Sequence, residues 1–220
     1  MARTETIRGM LAGGRPLFVG RAREVAELVA AQPRRVSQLI ECLWDEDAGV
    51  ANRAADALEK VTSVRPLLAA PWKDSLLGLL AEAKQNKLRW NLAVIVPRLT
   101  LTTAECRRAA EALRTYLGDK SSIVKTCAMQ GLAELTLQDA SLRAEVVDLL
   151  RILTRSGTPA IHPSHEDLCV GTPAIHPSHK DLCVGTPAMR ARGRMLLRRL
   201  EGPDPGLVRF HRAARGNDCG

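Results

Sequence analysis

Four histidines and two cysteines sit in a 14-residue unit written twice, GTPAIHPSHEDLCV at 157–170 and GTPAIHPSHKDLCV at 171–184. Imidazoles and a thiol at three- and four-residue spacing are zinc-competent ligands, so His162, His165 and Cys169 form one candidate set and His176, His179 and Cys183 a second. The surrounding residues argue the other way. Each copy carries two prolines, the copies differ only at Glu166 and Lys180, and Gly-Thr-Pro-Ala recurs at 185–188. That is the mark of a duplicated stretch of surface loop, which a fold tolerates at about 0.6 kcal/mol per doubling of length. The expectation is an insert that holds no metal, and a chain that uses no cofactor.

A second chemistry is carried by cations. Asn52, Arg53 and Lys60, then Arg89, Trp90, Asn91 and Arg98, then Lys125, then Arg190, Arg192, Arg198 and Arg199 recur at matching places along the chain. Arginine beside an aromatic residue suits either a protein anchor or a phosphate backbone. Asp56, Glu59 and Glu134 fall on the same faces and would weaken a phosphate track. Trp44 and Trp72 read as packing residues at helix ends. No Gly-rich phosphate loop, nucleophile elbow or HExxH is present. Four of the five histidines lie in the duplicated unit and His211 lies near the C-terminus, so a histidine-dependent enzyme is not expected.

What must position these residues is a set of helices. Apolar residues make up 45 % of the 220 and aromatics only 3 %, so the core must be leucine, alanine, valine and isoleucine. That composition suits close helix packing and suits a β-sandwich poorly. Val50, Leu88, Val124 and Met189 each head a stretch with apolar residues eight and eleven positions on: Leu58 and Val61, Val96 and Leu99, Leu132 and Leu135, Leu197 and Leu200. The heads are 38, 36 and 65 residues apart, and the last interval becomes 37 once the 28 duplicated residues are set aside. A constant interval at helix pitch means similar helical hairpins that bury their faces on one another.

Local signals divide the chain further. Helices are expected over 2–12 and 20–32, from Pro33 through Trp44, from Val50 to Val64, from about Pro71 to Leu80, and from Lys87 to a bend near Val96 forced by Pro97. Thr102 or Thr103 should cap a helix that closes at Gly118, Ser121 or Ser122 one that runs to Leu135, and Ser141 one that runs to about Arg155. Thr186-Pro187 should open the last, ending at Gly202, with 202–220 a flexible basic tail. There is no run of eighteen apolar residues, the N-terminal twenty residues lack a secretory apolar core, and the six cysteines are scattered. A reducing, cytoplasmic setting with mostly buried thiols is therefore expected.

The second helix of each hairpin resembles the HEAT-repeat family. That family's mark is an acidic residue, a short gap, an aliphatic–basic pair, then small and aliphatic residues at helix spacing. Asp45 precedes Val50, Asp119 precedes Val124-Lys125, and Leu88-Arg89 and Met189-Arg190 supply the pair in the other two units. Ala54, Ala128 and Gly193 supply the small residue, and Leu92 departs from it. The resemblance covers 33–201 and extends weakly over the first thirty residues. It implies that Asp45, Asp119, Arg89, Lys125 and Arg190 link adjacent units. Because the acid is missing before Leu88 and Met189, and Ala51 replaces the base after Val50, the ladder should be interrupted.

The resemblance implies an all-α solenoid of four to five antiparallel helix pairs over 1–201, interrupted at 157–184, with the second helices lining the inner curve. A non-catalytic scaffold that binds a protein partner there is expected, in a monomer with no membrane association. Arg53, Arg89, Trp90, Asn91, Lys125, Arg190 and Arg192 would make the contact. The basic curve also resembles that of HEAT-like alkylpurine DNA glycosylases, but no catalytic acid can be placed among the few aromatics. Phosphate-backbone binding, and a role as accessory subunit of an enzyme, are the alternatives. A net charge of +8 permits an acidic partner.

Deleting 157–184 restores the common interval, so a single cooperative thermal transition should persist within a few degrees of the intact chain. Loss of that transition would place the duplicated residues in the core.

Overall fold

The computed structural model of this protein describes residues 5–12, 21–154 and 186–202. The duplicated unit with its six candidate metal ligands, Cys219, His211 and the tail beyond Gly202 lie outside the described residues. Among the described residues the regular structure is entirely helical. The helices are α1 Ile7–Leu11, α2 Ala22–Ala31, α3 Val36–Glu41, α4 Ala48–Val64, α5 Lys73–Glu82, α6 Asn86–Ile95, α7 Thr103–Leu117, α8 Ser122–Leu135, α9 Arg143–Thr154 and α10 Pro187–Glu201.

Short polar side chains start several of them. Thr102 accepts from the Glu105 N–H while the Glu105 carboxylate accepts from the Thr102 N–H, a reciprocal capping box that satisfies two otherwise orphaned donors. Asp47 caps α4, Ser121 caps α8, and Thr186 caps α10 with Pro187 in its first turn. Pro97 has the expected effect: α6 stops at Ile95 and tightens into a 3₁₀ turn over Val96–Arg98. Gly118 follows α7 as expected, but at φ −84° it closes the helix without a left-handed residue.

Several boundaries differ from the sequence reading. The first helix, expected over 2–12, begins only at Ile7 with Thr6 as its cap, and the helix expected from Pro33 through Trp44 is α-helical only over Val36–Glu41, with 3₁₀ turns on either side. Pro71 lies inside a 3₁₀ stretch over Pro66–Trp72, and α5 begins only at Lys73. Asp139, not Ser141, makes the cap before α9, accepting from the Ser141 N–H and hydroxyl at the head of a 3₁₀ turn over Ala140–Leu142. A carboxylate outcompetes a hydroxyl two residues on because it is the stronger acceptor.

The helices pack in two series. In one, α2 contacts α4, α4 contacts α6, α6 contacts α8, and α8 contacts α10. In the other, α1 contacts α3 and α5 contacts α7, and the series are joined by α3 on α4, α5 on α6, α7 on α8 and α9 on α10. Every residue of the repeated apolar pattern is buried except Leu197, which packs half-buried against the core. Trp72 and Trp90 also pack half-buried against it, whereas Trp44 is 49 % exposed and does not fill a seam between units. Cys42 and Cys106 are buried and Cys127 is half-buried, all as free thiols. Burial pushes the Cys42 thiol up to about 11.

Two glycines admit the close approach of neighbouring helices. A Cβ on Gly131 of α8 would overlap the Ala93 carbonyl oxygen of α6 and lie 2.9 Å from Leu113 Cδ1. A Cβ on Gly193 of α10 would overlap the Thr154 methyl and lie 2.8 Å from Met129 Cε. Gly78 of α5 has nothing within 4 Å of the same position. Gly131→Ala should therefore destabilise by about 1–3 kcal/mol, since a carbonyl cannot swing aside as a side chain can. Gly78→Ala should stabilise by about 0.4–1 kcal/mol through the lost freedom of the unfolded chain. Urea titrations of the two variants check both signs.

Candidate functional site

The helices α4, α6, α8 and α10 present one side to solvent, and its residues recur four apart: Asn52, Asp56 and Lys60; Trp90, Val94 and Arg98; Thr126, Gln130 and Glu134; Met195 and Arg199. Four-residue spacing places each set along one face of its helix. Between α6, α8 and α10 this side sinks into a groove of about 420 Å³, lined by Val94, Arg98, Thr126, Cys127, Gln130, Gly131, Glu134 and Arg192. Gly131 lies in its wall, and Pro97 just after α6 packs against that glycine.

Most charges here are matched from within. Arg98 donates to the Glu59 carboxylate at 2.7 Å and to the Glu59 carbonyl at 2.9 Å. Arg199 donates to Glu134 at 2.7 Å, and the Gln130 amide donates to the same carboxylate at 2.6 Å. Lys60 pairs with Asp56 at 2.7 Å. Arg192 is exposed, and no ion pair links it to another described residue. Burial raises the pKa of the Cys127 thiol, Arg192 pulls it down and Glu59 adds to the rise. The thiol therefore stays protonated near neutral pH and is a poor nucleophile.

Of the residues read from the sequence as contact residues, Arg53 and Asn91 are only 2 % and 4 % exposed, which removes them from any accessible surface. The physical reason is rotation by one residue. Asn52 and Trp90 face the row's open side, so the next residue in each helix turns inward. Arg53 Nε donates to the Leu11 carbonyl at 2.6 Å, tying α4 to the last turn of α1. Asn91 donates to the Lys87 carbonyl of its own helix.

Arg89 is held in a unit-to-unit link. It pairs with Asp119, which is nearly buried, and its guanidinium lies 4.0 Å from the centre of the Tyr116 ring. Tyr116 in turn donates to the Leu80 carbonyl at 2.5 Å. Asp45 also joins units, but through Arg8 at 2.6 Å and not through a base of the repeated pattern. Trp90, Lys125 and Arg190 are half-buried, and Arg192 alone of the seven is both exposed and beside the groove. Val94, Thr126, Cys127 and Gln130 were not singled out in the sequence. The four-residue spacing behind Glu134 was the signal that could have found Thr126 and Gln130.

Among the described residues no group of three or more His, Cys, Asp or Glu side chains is placed to hold a metal ion. No helix among them is long and apolar enough to cross a membrane.

The geometry separates linking residues from surface ones. Asp119→Ala leaves Arg89 half-buried without its carboxylate and should cost about 2–3 kcal/mol. Arg192→Ala should change stability by less than about 0.5 kcal/mol, as for a solvated side chain. Denaturant midpoints of the two variants decide between these roles.

Comparison with protein-family models, with curated proteins and with solved structures finds no match to this chain.

Proposed function

We propose that this protein is a non-catalytic, HEAT-like α-solenoid that binds a protein partner on the side formed by α4, α6, α8 and α10. The solenoid reading is supported by one continuous series, α2 on α4, α4 on α6, α6 on α8 and α8 on α10, at intervals near those of the sequence pattern, flanked by a second set in which α1 packs on α3 and α5 on α7. The observation that carries the functional reading is the internal matching of charge on this side. Arg98 faces Glu59, Arg199 faces Glu134 and Lys60 faces Asp56. A phosphate track needs cations that are free to displace counterions. A surface of paired charges around a partly apolar groove suits a protein partner, whose interfaces mix apolar core and satisfied polar groups. Exposed Met195, on the α10 face between Arg192 and Arg199, adds an adaptable apolar contact.

The test is co-purification of the tagged chain with its partner from a cytoplasmic extract, with and without nuclease, for the native protein and two charge-introducing variants. Met195→Glu should remove the partner. Leu67→Glu, at an equally exposed apolar position off this side, should leave it bound. Affinity for the purified partner should change by less than about tenfold between roughly 50 and 200 mM salt, where a binder making many phosphate contacts loses about a thousandfold or more. Retention that ignores Met195→Glu and vanishes with nuclease would sink the proposal.

A further inference from the structure

We infer that the groove between α6, α8 and α10 takes an acidic side chain of an extended partner segment, with Arg192 as its counter-charge and an apolar neighbour of that acid resting on Met195. The inference rests on the protein-partner reading above and names the chemistry of its recognition.

Charge complementarity selects the occupant. Two ionisable side chains of the groove's lining already have partners. Arg98 is held by Glu59, and Glu134 is held by both Arg199 and Gln130. The Thr126 hydroxyl donates to the Ser122 carbonyl at 2.7 Å, so it offers the groove no proton. What remains is Arg192, exposed, with no ion pair to another described residue. A guanidinium presents a planar fork of N–H donors that matches a carboxylate in two parallel hydrogen bonds. A basic occupant would meet Arg192 and Arg98 with like charge, because Glu134 and Glu59 are already neutralised.

Shape selects an extended segment over a helix. About 420 Å³ accommodates one or two side chains, at the small end of ligand pockets. The floor is apolar at Val94 and Gly131, and Cys127 contributes a protonated thiol. Beside it Met195 is 62 % exposed, three residues from Arg192 and four from Arg199 on the same face of α10. An acid flanked by aliphatic residues therefore satisfies the groove and its rim together.

The experiment uses the full chain and two display libraries of C-terminally amidated peptides. One fixes a central Leu-Glu-Leu and the other fixes Leu-Gln-Leu. The tightest members are measured by fluorescence anisotropy, with free glutarate as competitor. The acid library should yield binders at least about tenfold tighter than the amide library. Arg192→Glu should weaken them by about tenfold or more, a change of about 1.4 kcal/mol. Arg192→Lys should recover only part of that loss, because it keeps the charge and loses the fork. The inference is overturned if neither library binds, if the amide library binds equally well, if Arg192→Glu leaves binding unchanged, or if glutarate alone displaces every peptide at equal affinity. Should it fail while Met195→Glu still removes the native partner, the scaffold reading stands and only the groove's chemistry is wrong.

Discussion

Closeness of backbone between neighbouring helices is the condition on which the other features rest. A chain with 3 % aromatic residues cannot fill wide gaps between helices, so alanine, leucine and valine must bring the backbones together. Ala54, Ala55 and Ala57 of α4, Ala93 of α6 and Ala128 of α8 are buried at these seams. At Gly131 the approach is tight enough that one added carbon would meet a carbonyl of the next helix, and the Pro97 ring lies 3.2 Å from the same point. The proline that shortens α6 thus also packs against the glycine that admits it. The groove runs beside this contact, with Gly131 in its wall.

Polar links then fix one helix against the next. Arg65 at the end of α4 donates to the Ala30 carbonyl at the end of α2. Arg98, just past α6, donates to the Glu59 carbonyl of α4, and Gln138, just past α8, donates to the Pro97 carbonyl. Ala30 is in the last turn of α2, where unsatisfied acceptors and the negative end of the dipole gather, whereas Glu59 lies before the last turn of α4 and Pro97 in the 3₁₀ turn after α6. The Arg89–Asp119 pair and the Tyr116 hydroxyl do the same work across the other seam. Of these groups Asp119 and Tyr116 are buried and Arg89 and Arg98 half-buried, each with a partner in place, which is the condition under which buried polarity is tolerated, while Arg65 and Gln138 make their bonds from exposed positions.

The same geometry underlies the proposed recognition by the open side. A net charge of +8 suggests a basic molecule, yet the cations of this side are largely matched by carboxylates one helix away. What is left over is local, an arginine at the rim of a small groove and a methionine beside it. The proposed recognition therefore turns on a single well-placed side chain and not on a long polyanion.

Much of the helical order was legible in the residues themselves. Apolar positions at eight and eleven from each head, the Thr102–Glu105 spacing, Thr186-Pro187 and Pro97 are local signals, and helix periodicity and capping act within a few residues of chain. The start of α5 after Pro71 and the cap at Asp139 were misread because several local donors and acceptors compete there and packing chooses among them. The candidate site was less legible. Arg53 and Asn91 carry the right chemistry but turn inward by one residue of helix rotation, and Arg98 and Arg199 are matched by acids 39 and 65 residues away. Helical stretches and apolar faces could be read from the residues because they depend on neighbours along the chain. Which charges remain unmatched could not, because that depends on which helices lie side by side.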